Sequence, residues 1–329
     1  MQETSTMSKI ARLHFEDNFY EMEELLIHLE AQTGRTLPAE EEIRRIRKEL
    51  INLKRLKYSN LTAWETVLVS RHPNRPQFLD YISLIFEDFT ELHGDRAFAD
   101  DKALRCGLAR LGETKLMLIG HQKGKTLAER QECMYGCAHP EGYRKAIRCM
   151  RLAAKFKLPV LCMIDTPGAF PGIGSEERGI AQLIADSLKE MAMLETTILC
   201  VVIGEGGSGG ALGIGIGDKV TMLEHAYYSV ISPEGCAGIL WKTATDETKP
   251  KAAEALRLTS KHCLRLNVID EILPEPLGGA HRDPKEMANT LKAFVVRSIR
   301  ELNRLNGMEL VENRYIKFRK IGAYLEIPS

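Results

Sequence analysis

The chain has no surplus of charge: 45 Lys+Arg stand against 45 Asp+Glu in 329 residues. Without a basic excess it lacks the electrostatic footprint for nucleic acid or an anionic membrane surface, and neither is expected as a partner. The N-terminus lacks a charged-then-apolar leader, which points to the cytoplasm. Internal repeats and low-complexity segments are absent. A long apolar run is nearly absent too: the window 197–216 has Glu205 as its only charge, but its glycine density makes it a poor membrane helix and a good buried strand and turn. The eight cysteines are scattered, several inside apolar runs as at Cys162 and Cys200, and read as reduced core residues. Cys133, Cys137 and His139 make half a metal site at most, because no second pair follows at ligand spacing. What is present in quantity is hydrophobic residue, 44%, in a chain long enough for one large domain and an appendage. Zero net charge with that content suits a subunit covered by partners.

The densest feature is Gly204-Glu205-Gly206-Gly207-Ser208-Gly209-Gly210-Ala211-Leu212, preceded by the β-branched run Thr197–Ile203. A buried strand feeding a turn without side chains gathers main-chain N–H groups at one spot, suited to an anion or a developing oxyanion. Three chemistries compete. Gly206-Gly207-Ser208-Gly209-Gly210 fits the G-x-S-x-G elbow of serine hydrolases, with Asp270 and His281 in that fold's chain order. The second is a phosphate cradle, and the third an oxyanion hole in which Ser208 is only a small residue whose hydroxyl caps the next helix. A tight packing turn is the plain alternative.

Residues 1–85 are charged and helical in pattern. Met22, Leu25, Leu26 and Leu29 share a face, a break follows at Gly34 to Pro38, and Ile43, Ile46, Leu50 and Leu53 form a two-heptad seam, as in a helical hairpin laid on a partner or on the main domain. From Phe86 strands alternate with helices: strands at Lys115–Ile119, Val160–Ile164, Thr197–Ile203 and around Tyr227–Ile231, helices over 142–157, 175–194 and 284–305. This predicts an α/β domain over 86–305 and a basic tail, 306–329, with no clear motif.

Gly120–Thr126 resembles a P-loop and Asp165-Thr166-Pro167-Gly168 a GTPase D-x-x-G. However, the P-loop spacing needs Gly at Ile119, and no N-K-x-D motif occurs. His121, His225 and His262 have no carboxylate companion in sequence. Asp165–Gly172 has more content: two Pro and two Gly make a rigid loop at a strand's C-terminal end, where α/β sheets commonly bind ligands, one strand-helix unit before the glycine run.

Four segments together, Asp165–Gly172, Gly204–Leu212, Ser229–Ala237 and Pro274–Arg282, resemble the carboxyltransferase alpha subunits of bacterial and plastid acetyl-CoA carboxylase. The N-terminal hairpin and Glu91-Leu92-His93-Gly94-Asp95-Arg96 agree, and the match runs in order over about residues 10–300. Lys125-Thr126 and the stretch Cys133–His139 depart from that family's usual residues, and the last two dozen residues lie outside the match.

The resemblance implies a crotonase-like (ClpP/crotonase) core of repeated ββα units with an N-terminal helical hairpin. It implies transfer of a carboxyl group from carboxybiotin, carried on a separate biotin carboxyl carrier protein, to acetyl-CoA, giving malonyl-CoA for fatty-acid synthesis. Biotin carboxylase is the further partner, with ATP used only at the level of the whole complex. A zinc-ribbon beta subunit completes an α2β2 heterotetramer and holds the zinc, with no metal in this chain. Gly206 and Gly207 would be the oxyanion donors, with Gly168, Ala169, Gly204, Glu205 and Ser208 lining the biotin pocket. A serine hydrolase using Ser208, a stand-alone crotonase-type acyl-CoA enzyme and a non-catalytic scaffold are the alternatives.

Overall fold

The computed structural model describes residues 12–31 and 37–322. Helices α1 (Asp17–Ala31) and α2 (Leu37–Ser59) form the expected hairpin. Ion pairs Lys54–Glu23 and Arg47–Glu30 run them in opposite directions. Phe19, Leu26, Ile43, Ile46 and Leu50 make the seam, while Leu25 and Leu53 face solvent. The break at Gly34 to Pro38 lies largely outside the described residues. Two short helices follow, α3 (Ala63–Ser70), opened by a Thr62–Glu65 capping box, and α4 (Phe78–Ile85). Phe78, Tyr81, Ile82 and Ile85 of α4 enter the main core.

That core is built on one sheet of eight strands: β1 (Glu87–Glu91), β2 (Leu104–Leu111), β3 (Thr114–His121), β4 (Val160–Thr166), β5 (Ile198–Gly207), β6 (Lys219–Leu223), β7 (Tyr227–Ser229) and β8 (Glu271–Leu273). The order is β1-β2-β3-β4-β5-β6-β8. The first two pairings are antiparallel and the rest parallel. β7 lies parallel to the far end of β5, which β6 has already left. Every residue of β4 and β5 is buried, as a parallel strand covered on both faces must be; hence their uncharged, β-branched beginnings.

The connecting helices are α5 (Leu127–Glu132), α6 (Pro140–Lys155), α7 (Ile173–Glu177), α8 (Ile180–Met193), α9 (Ser208–Leu212), α10 (Pro233–Trp241), α11 (Thr248–Ala255), α12 (Ser260–Arg265) and α13 (Pro284–Leu302). β2–β3 before α6, and β6–β7 before α10, are the ββα units of the crotonase-type expectation; β4 and β5 each lead singly into their helices. Two departures are physical. The helix expected over 175–194 breaks into α7 and α8 at Gly179, which takes the left-handed conformation. The segment 306–329, expected as a tail, begins with α14 (Gly307–Arg319), capped by Asn306 and docked by a fully buried Arg314.

All eight cysteines are free thiols, seven of them buried. Among the described residues, no helix is long and apolar enough to cross a membrane.

Candidate active site

β4 and β5 end side by side, and the loops they feed meet almost without side chains. A Cβ on Gly207 would lie 2.2 Å from the carbonyl oxygen of Pro167, and one on Gly210 would lie 2.5 Å from the nitrogen of Ala169. Both approaches exclude any residue but glycine. Thr166 ties the first loop by bonding both the carbonyl and the N–H of Gly168. Gly168 and Ala169 are thus brought against the glycine run. Gly206 and Gly207 are themselves buried, as the last residues of β5, and not in the turn after it.

The glycine run separates two cavities. On one side is an apolar space of about 430 Å³, with Ser208, Gly209 and Ser229 beside walls that include Leu212, Ile216, Val268 and Phe318. Ser208 opens α9 at φ +51°, and its hydroxyl caps nothing, contrary to the sequence expectation. The hydrolase partners are elsewhere. Asp270 accepts from the Val220 N–H and Lys317, while the His281 ring stacks on His72 at 3.9 Å. No triad forms.

On the other side lies a polar cavity of about 220 Å³ with Arg71, Arg75, Lys123, Asp165 and Glu205 in its wall. Each of the four segments that carried the resemblance sends one carboxylate into a single ionic cluster here. Glu205 Oε1 accepts from Arg71 Nε at 2.6 Å and from the Tyr227 hydroxyl at 2.8 Å, and its other oxygen meets Lys123. Lys123 Nζ also stands 2.6 Å from Asp165, and Arg71 continues to Glu234 at 2.6 Å. Arg75 holds Glu275 through two nitrogens, at 2.9 and 2.5 Å. Burial would raise the Glu205 carboxyl, but Lys123 and Arg71 outweigh it and hold it at about 2; Arg75 does the same for Glu275, also at about 2.

Sequence reasoning singled out Glu205 and the loop that Asp165 opens, but gave no role to Asp165, Arg71, Arg75, Tyr227, Glu234 or Glu275 themselves. Lys123 had been set aside with the P-loop spacing. No pattern of period or spacing links Arg71 to Glu205, 134 residues away. Burial pushes His121 down to about 3, with Lys123 adding to it, and its ring has no hydrogen-bond partner. His225 is likewise lowered by burial, and His262 bonds Thr259. None of the three rings bonds a carboxylate. His139 bonds Ser175, and among the described residues no His/Cys/Asp/Glu group is arranged to hold a metal. Thr126 caps α5 in a box with Glu129, and Lys125 pairs with Asp80, so that departure from the family's residues is structural.

The fold defines the class: it is the crotonase-type fold of the solved structures that resemble it. Solved neighbours include the transcarboxylase 12S, with methylmalonyl-coenzyme A and methylmalonic acid bound (TM-score 0.52, 19% identity, 68% of this chain and 42% of that one). Another is the beta subunit of P. aeruginosa geranyl-CoA carboxylase (TM-score 0.53, 17% identity, 72% and 45%). This chain spans less than half the length of either.

Residues 12–322 match the family model described as acetyl co-enzyme A carboxylase carboxyltransferase-like, and the chain belongs to that family. The match takes in α14, which the sequence reading had left outside. The acetyl-coenzyme A carboxylase carboxyl transferase subunit alpha of Rhodopirellula baltica is 55% identical over 95% of this chain and 98% of its own. Those of Methylococcus capsulatus (54%; 87% and 88%) and Haemophilus influenzae (50%; 94% and 98%) are similar.

Proposed function

We propose that this chain is the alpha subunit of an acetyl-CoA carboxylase carboxyltransferase. With a zinc-ribbon beta partner in an α2β2 assembly, it serves carboxyl transfer from carboxybiotin on a separate carrier protein to acetyl-CoA, forming malonyl-CoA. Biotin carboxylase would recharge the carrier. The carrying observation at the site is the bare main-chain contact of Gly207 and Gly210 with Pro167–Ala169, beside the apolar cavity.

Carboxybiotin supplies the transferable carboxyl group when bound. The residues present fit its bicyclic urea, a compact, folded and mostly apolar body with one strong acceptor oxygen. Leu212, Ile216, Val268 and Phe318 would take the body, with Ser208 at the polar edge; Gly168–Ala169 would close the site from the loop packed against Gly210. Main-chain N–H groups of Gly206 and Gly207 would donate to the ureido oxygen, and neutral, preorganised donors stabilise developing negative charge without giving up a proton. Gly204 and Glu205 sit behind the donors, in the ionic cluster.

Among the described residues no base lines the apolar cavity: burial raises the Tyr228 hydroxyl, and lifts the Cys263 thiol to about 12. The chain's part is to bind, orient and stabilise charge.

The test is carboxyl transfer from malonyl-CoA to biocytin by the chain alone, by the beta partner alone and by both together. Activity is expected only in the combination. Transfer by the isolated chain, turnover of an acyl-CoA without biotin, or labelling of Ser208 by a fluorophosphonate would overturn the reading.

A further inference from the structure

β4 and β5 do not run in even register to their ends. Ile164 stands opposite Val202, but Thr166 stands opposite Gly206. Asp165 alone therefore faces Ile203, Gly204 and Glu205, a bulge that re-aims everything after it on β5. A buried bulge leaves main-chain groups without ladder partners, and each must be satisfied elsewhere. Here side chains do it. The carbonyl of Ile203 accepts from Arg75 Nε at 2.7 Å, and the N–H of Glu205 donates to Asp165 Oδ1 at 2.9 Å. The fit is tight: a Cβ on Gly204 would lie 2.4 Å from that same carboxylate oxygen.

Both side chains are held from behind. Glu275 grips Arg75 through two bonds. Lys123 pairs with Asp165 and reaches across to Glu205, whose other oxygen is fastened by Arg71 and Tyr227. The cluster thus spans the end of β3, β4, β5, β7 and the segments that follow α3 and β8. Its one mechanical consequence is the position of Gly206–Ser208 relative to Pro167–Ala169.

We propose that Asp165 and Lys123, with Arg75, are positioning residues for carboxyl transfer: they hold the β5 bulge that sets the glycine run against the Pro167–Ala169 loop. This rests on the functional reading above. None of the three touches the apolar cavity; they act through the main chain of β5. A donor displaced by about 1 Å costs on the order of 10²-fold in rate while leaving binding made elsewhere intact. The charges serve rigidity: with Lys123 present, two facing carboxylates, Asp165 and Glu205, share a cation and do not repel.

The experiment uses the full chain assembled with its beta partner. Asp165→Asn keeps an acceptor for the Glu205 N–H but loses the pair with Lys123, and Lys123→Gln leaves the acceptor and removes the cation. Lys123→Arg restores the charge. Asp218→Asn, which breaks the buried pair with Arg314 on a different part of the sheet, is the control for general destabilisation. For Asp165→Asn and Lys123→Gln the expected kcat for malonyl-CoA plus biocytin falls about 30- to 100-fold with KM for malonyl-CoA within about two-fold, and Lys123→Arg recovers at least about ten-fold of it. Asp218→Asn lowers the melting temperature but leaves kcat per assembled complex within about three-fold.

Hydrogen exchange over residues 203–209 is the second readout, and it needs no activity. It should rise about ten-fold or more in Asp165→Asn and stay unchanged in Asp218→Asn. If the wild-type complex transfers no carboxyl group, the functional reading fails while the exchange arm still reports on the bulge. If kcat in folded Asp165→Asn stays within about three-fold of wild type, or exchange over 203–209 does not change, the positioning role is wrong. It is also wrong if Asp218→Asn loses kcat as deeply.

Discussion

Arg314 lies fully buried in the last described helix and grips Asp218, 96 residues earlier, through Nε and Nη2 at 2.9 and 3.0 Å. Its third nitrogen caps the carbonyls of Met191 and Leu194 at the C-terminal end of α8, at 2.6 and 3.0 Å. A single guanidinium therefore ties α14 to the base of the sheet and satisfies a helix end that is buried.

Arg314→Met should destabilise the protein by about 3–5 kcal/mol, because it leaves the buried Asp218 charge without its partner and the α8 carbonyls unbonded. Urea unfolding measures this. The double variant with Asp218→Asn should recover part of the loss, since an unpaired charge is then no longer buried. A loss below about 1 kcal/mol for the single variant would show α14 to be dispensable packing.

Gly207→Ala should damage the fold itself. The added methyl would meet the Pro167 carbonyl, which is main chain and cannot swing aside, so a loss above the usual 1–3 kcal/mol of overpacking is expected. Gly209→Ala should be mild by comparison, because its nearest neighbour is an Ile184 methyl at 3.3 Å. Thermal melts of the two variants, made side by side, decide the point. Equal melting temperatures would mean the two loops yield easily.

Ser208→Ala should keep carboxyl transfer within a few-fold of wild type, as among the described residues the hydroxyl has no hydrogen-bond partner and no base beside it. A nucleophile's loss would instead cost about 10⁴-fold or more. Ser208→Gly should be neutral or slightly stabilising, since φ +51° suits glycine better than serine. Initial rates and melts on both variants test this together.

Stability should fall on acidification from below pH 6.5. His121, lowered to about 3 by burial and then by Lys123, stays neutral in the native state while the unfolded chain takes up its proton. The unfolded state therefore binds more protons, and the stability present above pH 6.5 drains away as pH falls toward 3. His281, lowered to about 2, acts in the same direction. Glu275 joins below about pH 4.5, since its ion pair with Arg75 must be protonated in order to break. His121→Leu should shrink the loss between pH 7 and pH 5 by about 2 kcal/mol. Urea midpoints at the two pH values check it; an unchanged difference would mean His121 is accessible to protons in the native protein.

Much of the site's frame was legible in the sequence because it is written in local chemistry. Uncharged β-branched runs placed β4 and β5 to within a few residues, and Pro and Gly marked the loops after them. Four ordered segments carried the family. The N-terminal hairpin followed from two apolar seams of helical period. The strands, loops and hairpin depend on residues within a turn or two of each other, so spacing reveals them, whereas the family came from resemblance over the four segments.

Other features were decided only by tertiary structure. The bulge opposite Asp165, the burial of Gly206 and Gly207, and the commitment of Glu205 to Arg71, Lys123 and Tyr227 all join residues from 22 to 134 positions apart. The segment holding α14 read as a tail because its docking rests largely on buried Arg314 and on Lys317, with Leu310 and Phe318 too few to mark an apolar stripe. An ion pair leaves no period in a sequence; it exists only where folding brings two charges out of water and leaves each no other partner.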